Sequence, residues 1–248
     1  MATLSPTITI KDLKTGGGGI VPPTTTRGGG DGNRGGGGSP DYGERLRRAR
    51  LGLAVALTPI VMLFVSFTSA YIVRQGLPTF DEAAGKYVRD WLAVNLPITL
   101  LLINTALLLA SSLTMELARR QITREAALAP VRSIPGVSIG KERNFPWLYL
   151  TLVLGVGFLI GQWEAWIALE SRGFYVATSP SSSFVYLLTG AHAIHLAGGM
   201  IAMMYAAASS FTSKPVEARR IVVDVTAWYW HFMALLWIYI FVLLVIAR

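Results

Sequence analysis

Apolar residues in this chain come in long runs, not in the short alternations of strands or the narrow stripes of soluble helices. Five runs reach the roughly twenty residues that a helix needs to cross a bilayer: Leu51–Ile72, Leu92–Leu113, Trp147–Leu169, Phe184–Ala206 and Val223–Ile246. Membrane β-barrel strands would read as short segments of alternating polarity. In lipid every backbone group must be satisfied within the spanning element, so these runs predict helices. The expected fold class is an all-α membrane protein, a five-transmembrane-helix bundle over residues 45–248. Residues 1–44 carry Gly16–Gly19, Thr24–Thr26 and more glycine over 28–38, with nothing to bury; they are expected to be a disordered Gly-rich tail. The tail has no apolar signal-peptide core. It also has no preceding strand and no Gly-Lys-Ser/Thr, so it does not read as a phosphate loop.

The polar residues inside the runs are the informative ones, because a titratable group at membrane depth is costly and usually faces a bundle interior. In the last run Asp224, Trp228 and His231 fall on one helix face, which leaves Met233, Ile240 and Leu244 to meet lipid. Asp224 also fits a place at the interface, with His231 a hydrogen-bonded packing residue. In the third run Gly157 and Gly161 form a GxxxG pair. Glu164 lies seven residues after Gly157 and is expected to point the same way, into a helix contact. It is then either protonated through desolvation or hydrogen-bonded. In the fourth run Leu188, His192, His195 and Gly199 share a face, and Gly190, Ala193 and Ala197 make a separate small-residue stripe. Asn104 with Ser111, and Thr105 with Ser112, make two polar edges on the second run, suited to hydrogen bonds between helices. Thr58-Pro59 should kink the first.

Charge then orients the bundle. The chain has 22 Lys and Arg against 14 Asp and Glu, a net charge of +8. Seventeen of the 22 lie before the first run or in the second and fourth connections, and five lie on the other side. That asymmetry places the N-terminus in the cytoplasm and the C-terminus outside, and it accounts for the basic balance without nucleic acid. Arg45, Arg47, Arg48 and Arg50 either anchor this topology or hold anionic lipid headgroups, at about 1 kcal/mol per basic residue. With no cysteine, disulfides and thiolate metal sites are excluded. His192, His195 and His231 are the only histidines. Haem or copper ligation by them is one option. However, His192 and His195 are three apart on one helix and cannot be opposed axial ligands. No nucleophile with a base, carboxylate dyad or HExxH motif is present, so the chain alone is not expected to catalyse a reaction.

Three words carry a resemblance: GQWEAW (161–166), TGAHAIHLAGG (189–199) and AWYWHFMALLW (227–237). In order and on the right helices, they resemble subunit III of the haem–copper respiratory oxidases in its five-helix form. SAYIVRQG at the end of the first run, and the LP, NT and SSLT words of the second, extend the resemblance from about Arg50 to Arg248. It implies a two-part, V-shaped bundle whose cleft holds phospholipid, docked on oxidase subunit I, with subunit II in the same complex. The implied role is a non-catalytic subunit III of a proton-pumping cytochrome c oxidase in a bacterial inner membrane. Haem and copper would then lie in the partner subunits and none in this chain. Glu164, His192, His195, Asp224 and His231 would form an inward polar network. The sequence departs from the family at Ile60, where many relatives carry a glutamate, and at Ala234, where many carry an aspartate. Roles attached to those acids do not transfer. A quinol oxidase subunit III and an accessory subunit of a nitric oxide reductase remain alternatives. A small transporter is disfavoured by the lack of inverted repeats, and a haem-bearing membrane cytochrome is the remaining class.

Overall fold

The computed structural model describes residues 42–81, 85–88, 91, 94–132, 146–209 and 216–246. The tail expected to be disordered lies outside the described residues, apart from its last three, which open the first helix. Five helices follow: α1 (Tyr42–Gly76), α2 (Ile98–Arg132), α3 (Trp147–Glu170), α4 (Pro180–Ser209) and α5 (Val216–Ile246). All five are long and apolar enough to cross a membrane.

Most of the helices outrun the apolar runs that announce them, because charged helix formers continue the backbone pattern past the hydrocarbon. In α1 the segment before Leu51 holds an i,i+4 pair, Arg48 to Glu44 at 3.3 Å. In α2 the extension past Leu113 is tied by Glu116, which binds Arg119 and Arg120, each at 2.8 Å. At its other end α2 begins later than its run suggests, at Ile98 instead of Leu92. Proline has no N–H to give a helix interior, and the Pro97 carbonyl accepts the first bond of the helix, from Leu101. The Pro146 carbonyl accepts the first bonds of α3 in the same way, and Pro180 is the first residue of α4, whose first bond runs from Ser183 to the Ser179 carbonyl. α1 runs unbroken through Pro59.

The α1–α2 connection holds a feature that the helical reading missed. β1 (Thr79–Asp81) pairs antiparallel with β2 (Lys86–Val88), with Phe80 opposite Tyr87. Gly85 supplies a φ of +61° in the turn. Strands of three residues are too short to show a period, so only the aromatic content and the glycine hinted at them.

α2 touches α3, α3 touches α4, α4 touches α5, and α5 touches α2, which closes a four-helix ring. α1 lies outside the ring against α4 and α5. Because α5 has α1, α2 and α4 around it, its expected lipid side is core: Met233, Ile240 and Leu244 are buried, whereas Trp228 is 53% exposed. A helix with neighbours on three sides does not divide into one polar inner face and one apolar outer face.

Close helix contact also falls at different glycines from those expected. A Cβ on Gly155 would sit 2.9 Å from the Trp230 ring, and one on Gly199 would sit 2.7 Å from Tyr229. One on Gly161 would collide with the Asn104 amide. Gly157 has open space beside it, and Gly190 approaches only Trp166, at 4.0 Å. Ala193 and Ala197 are half-buried. The GxxxG pair is therefore split: Gly161 packs, while Gly157 faces out.

Candidate functional site

The polar residues gather at two levels. The first is at the end of the bundle where α1 and α5 begin and α2 finishes. Asp224 on α5 is buried there and receives two arginines. Arg50 of α1 reaches it through Nε at 2.9 Å and Nη2 at 3.2 Å, and Arg119 of α2 through Nη1 at 3.2 Å. Arg119 also holds Glu116, through Nε at 2.8 Å and Nη2 at 3.0 Å. Glu116 stands 3.6 Å from His231 Nε2, and the other ring nitrogen of His231 meets Ser112 Oγ at 2.6 Å. A continuous polar chain thus runs from Arg50 through Asp224, Arg119, Glu116 and His231 to Ser112.

Helix geometry explains why these side chains meet. Ser112, Glu116 and Arg119 are spaced i, i+4, i+7 on α2, and Asp224 and His231 are seven apart on α5, so each set lies along one face. The antiparallel pairing of α2 with α5 sets the faces opposite one another. A second pair, Arg219 with Glu125 at 3.3 Å, continues the contact outward. The Arg50 guanidinium also lies 6.0 Å from the centre of the Trp228 ring, within cation–π range.

The second level is the middle of the ring. Trp230 donates to Ser111 Oγ at 2.9 Å and Trp237 to Thr105 Oγ1 at 3.0 Å. Asn104 Nδ2 donates to the Phe158 carbonyl at 3.2 Å, and Ser111 to that of Thr151 at 3.3 Å. The small polar residues of α2 do bond between helices, and both edges turn toward neighbours. His192 is fully buried between Phe158 and Trp237, with ring centroids at 5.9 and 5.2 Å. Neither of its nitrogens has a hydrogen-bond partner among the described residues, and nor does Gln162 Oε1. His195 is half-buried; its Nδ1 lies 2.7 Å from the Ala191 carbonyl and its ring packs on Phe64 of α1.

The structure therefore brings Asp224 and His231 into one cluster, sets His192 and His195 apart from it, and leaves Glu164 outside. Glu164 is exposed on α3, on the same side as Gly157. The shared direction of the two residues is as expected, but Gly157 has open space beside it and Glu164 is exposed, so neither makes the expected helix contact among the described residues. Arg45 and Arg47 are exposed, Arg48 pairs with Glu44, and Arg50 is committed to Asp224. Glu116, Arg119 and Ser112 complete the cluster and were not singled out as site residues. Ser112 was expected to bond between helices and does so, to His231; for Glu116 and Arg119 the signal was the Glu-x-x-Arg-Arg spacing, which fixes contacts along α2 but says nothing of α5.

The histidines do not fit a haem or copper site. His192 is enclosed by two aromatic rings, the Nδ1 of His195 is taken by its own helix, and His231 is engaged by Ser112 and Glu116. Among the described residues no three His, Asp or Glu side chains stand together in a way that could hold a metal ion.

The family model for cytochrome c oxidase subunit III matches residues 45–247. A probable cytochrome c oxidase subunit 3 of Mycobacterium leprae is 28% identical over 201 residues, covering 80% of this chain and 87% of that protein. One from Nocardia farcinica is 26% identical over 198 residues, with the same shares. The cytochrome c oxidase subunit 3 of Corynebacterium diphtheriae is 28% identical over 196 residues, 77% and 84% of the two chains. With five spanning helices, a match over nearly all of them and the motifs of α3, α4 and α5 in family order, this chain belongs to the cytochrome c oxidase subunit III family.

Proposed function

We propose that this chain is the non-catalytic subunit III of a proton-pumping cytochrome c oxidase. In this reading it braces oxidase subunit I, shares the complex with subunit II, holds phospholipid and supports proton uptake. Electrons pass through haem and copper in those partners. The family match over residues 45–247 carries the reading. The charge cluster is consistent with its finer parts: Asp224, Glu116 and His231 are linked by Arg50 and Arg119 into one continuous charged and polar chain at the basic end of the bundle, where a partner subunit or a proton-uptake entrance would lie. The same end carries Arg45, Arg47, Arg120, Arg124 and Arg220, and the split of basic residues between connections supports reading it as the cytoplasmic end of a bacterial inner-membrane protein. Arg47 and Arg50, with Leu46 and Leu51, line a recess of about 300 Å³ that suits an anionic headgroup and the start of its acyl chain.

The test is purification in gentle detergent through a tag on this chain. A reduced-minus-oxidised spectrum with haem bands, and subunits I and II in the same fraction, are expected. Oxygen uptake with reduced cytochrome c, and not with quinol, identifies the donor. A colourless chain that purifies alone would refute the assignment. For the proton role, Asp224→Asn in the intact complex should lower sustained turnover in sealed vesicles more than in detergent; equal turnover to the unsubstituted complex in both would remove that role.

A further inference from the structure

The hairpin between α1 and α2 has a height fixed by the structure. Arg50 and Arg74 are the charged residues that bracket the apolar part of α1, with none between them. They are 24 positions apart, which spans about 36 Å of helix, slightly more than the roughly 30 Å hydrocarbon core of a bilayer. Arg74 therefore lies at the headgroup level opposite the Asp224 cluster. Its guanidinium binds the Leu77 carbonyl at 3.2 Å and Thr79 Oγ1 at 3.0 Å. Those two bonds tie the start of the first strand to Arg74.

The hairpin has two unlike faces. Phe80 and Tyr87 are directly opposed, so their side chains share one face, and they meet edge to face with centroids 5.3 Å apart. They are 50% and 72% exposed, so among the described residues the pair packs chiefly on itself. Lys86, the strand neighbour of Tyr87, projects from the other face and is also exposed. Ile72 and Val73 near the end of α1, and Leu77 just after it, are exposed and apolar as well. Phenylalanine and tyrosine at headgroup height are the chemistry of an aromatic belt, where the ring body is apolar and the tyrosine hydroxyl stays wet.

We infer that the hairpin of β1 and β2 is a membrane-surface anchor, lying along the bilayer with Phe80 and Tyr87 inserted in the interface and Lys86 toward the headgroups and water. It fixes the outer end of α1, the helix with the least packing of its own. The inference needs only that the bundle spans a bilayer, and it is independent of the oxidase role.

The chain has no cysteine, so single labels can be placed cleanly. Phe80→Cys, Tyr87→Cys and Lys86→Cys, each with the rest of the hairpin intact, are spin-labelled in the purified complex. The complex is reconstituted in phosphatidylethanolamine–phosphatidylglycerol bilayers, with the unsubstituted complex as background. The ratio of oxygen to nickel-chelate accessibility should be several-fold higher at positions 80 and 87 than at 86. Equal ratios at all three would put the hairpin in water, and positions 80 and 87 reached by neither reagent would put a protein against it; both results overturn the inference. A second measurement leaves the hairpin unaltered. A phospholipid with a diazirine near its glycerol should cross-link the peptide containing residues 79–88 in the unsubstituted complex, and the absence of that adduct would also overturn it.

Discussion

Removing the arginines around Asp224 should harm the bundle more than removing Asp224 itself, and adding the second change should partly undo the first. The Asp224 side chain is 10% exposed, against 32% for Arg119 and 46% for Arg50. In Asp224→Asn the amide keeps an acceptor and the two guanidiniums can turn to water. A charge-assisted hydrogen bond contributes about 1.5–3 kcal/mol when buried and an exposed pair about 0–1 kcal/mol. At these exposures the loss is about 1.5 kcal/mol in total. Arg50→Gln with Arg119→Gln instead leaves a carboxylate buried without a cation. Breaking a buried pair that way costs about 3–5 kcal/mol, and some residual solvation brings this toward 3. The triple variant carries no stranded charge, so Asp224→Asn should restore about 1–2 kcal/mol to the double variant. Loss of the Arg119–Glu116 contact is common to the double and triple variants, and Glu116 keeps Arg120. The assay is the thermal midpoint of the detergent-solubilised complex, followed by a fluorescent tag on this chain, with the variants ranked side by side. If Asp224→Asn lowers the midpoint of the double arginine variant further, the three residues do not depend on one another as described.

Other perturbations test separate parts of the structure. Gly199→Ala places a methyl against Tyr229, whose hydroxyl is held by the His195 carbonyl at 2.8 Å, and should cost about 1–3 kcal/mol in thermal stability. Gly157→Ala meets open space and should be neutral or stabilising by up to about 1 kcal/mol, so equal loss at both glycines would contradict the packing. His192→Phe removes two unpartnered nitrogens from a ring-lined site and should leave the midpoint unchanged or higher, since an unmet buried polar group costs about 1–3 kcal/mol; a large drop would show that the ring has a polar partner. Tyr239→Phe deletes the 2.9 Å contact with Thr68 that ties α1 to α5 and should cost about 1 kcal/mol. Glu164→Leu should weaken co-purification of the partner subunits, because an exposed acid on an apolar helix face is retained at a cost unless something covers it; unchanged association would leave Glu164 facing lipid.

Sequence alone determined the class of this protein and the number of its membrane helices. Length and apolarity are local properties, and in lipid a run of about twenty apolar residues has no stable alternative to helix. The side of the membrane for each connection is an expectation that rests on counting basic residues. The spacing of Asp224 and His231, and of Asn104 and Ser111, correctly put each pair on one face, because the helical period is fixed. Which faces are covered was a tertiary matter. Met233 and Ile240 are as apolar as lipid-facing residues, and in a bilayer composition no longer separates inside from outside as it does in water. The ring of α2 to α5, with α1 laid across α4 and α5, decided that these side chains are core and that Glu164 and Gly157 are not. It also decided the pairing of Arg50 and Arg119 with Asp224, 174 and 105 positions away along the chain. No local pattern encodes such a contact, because it exists only once helix order and register bring the three ends together.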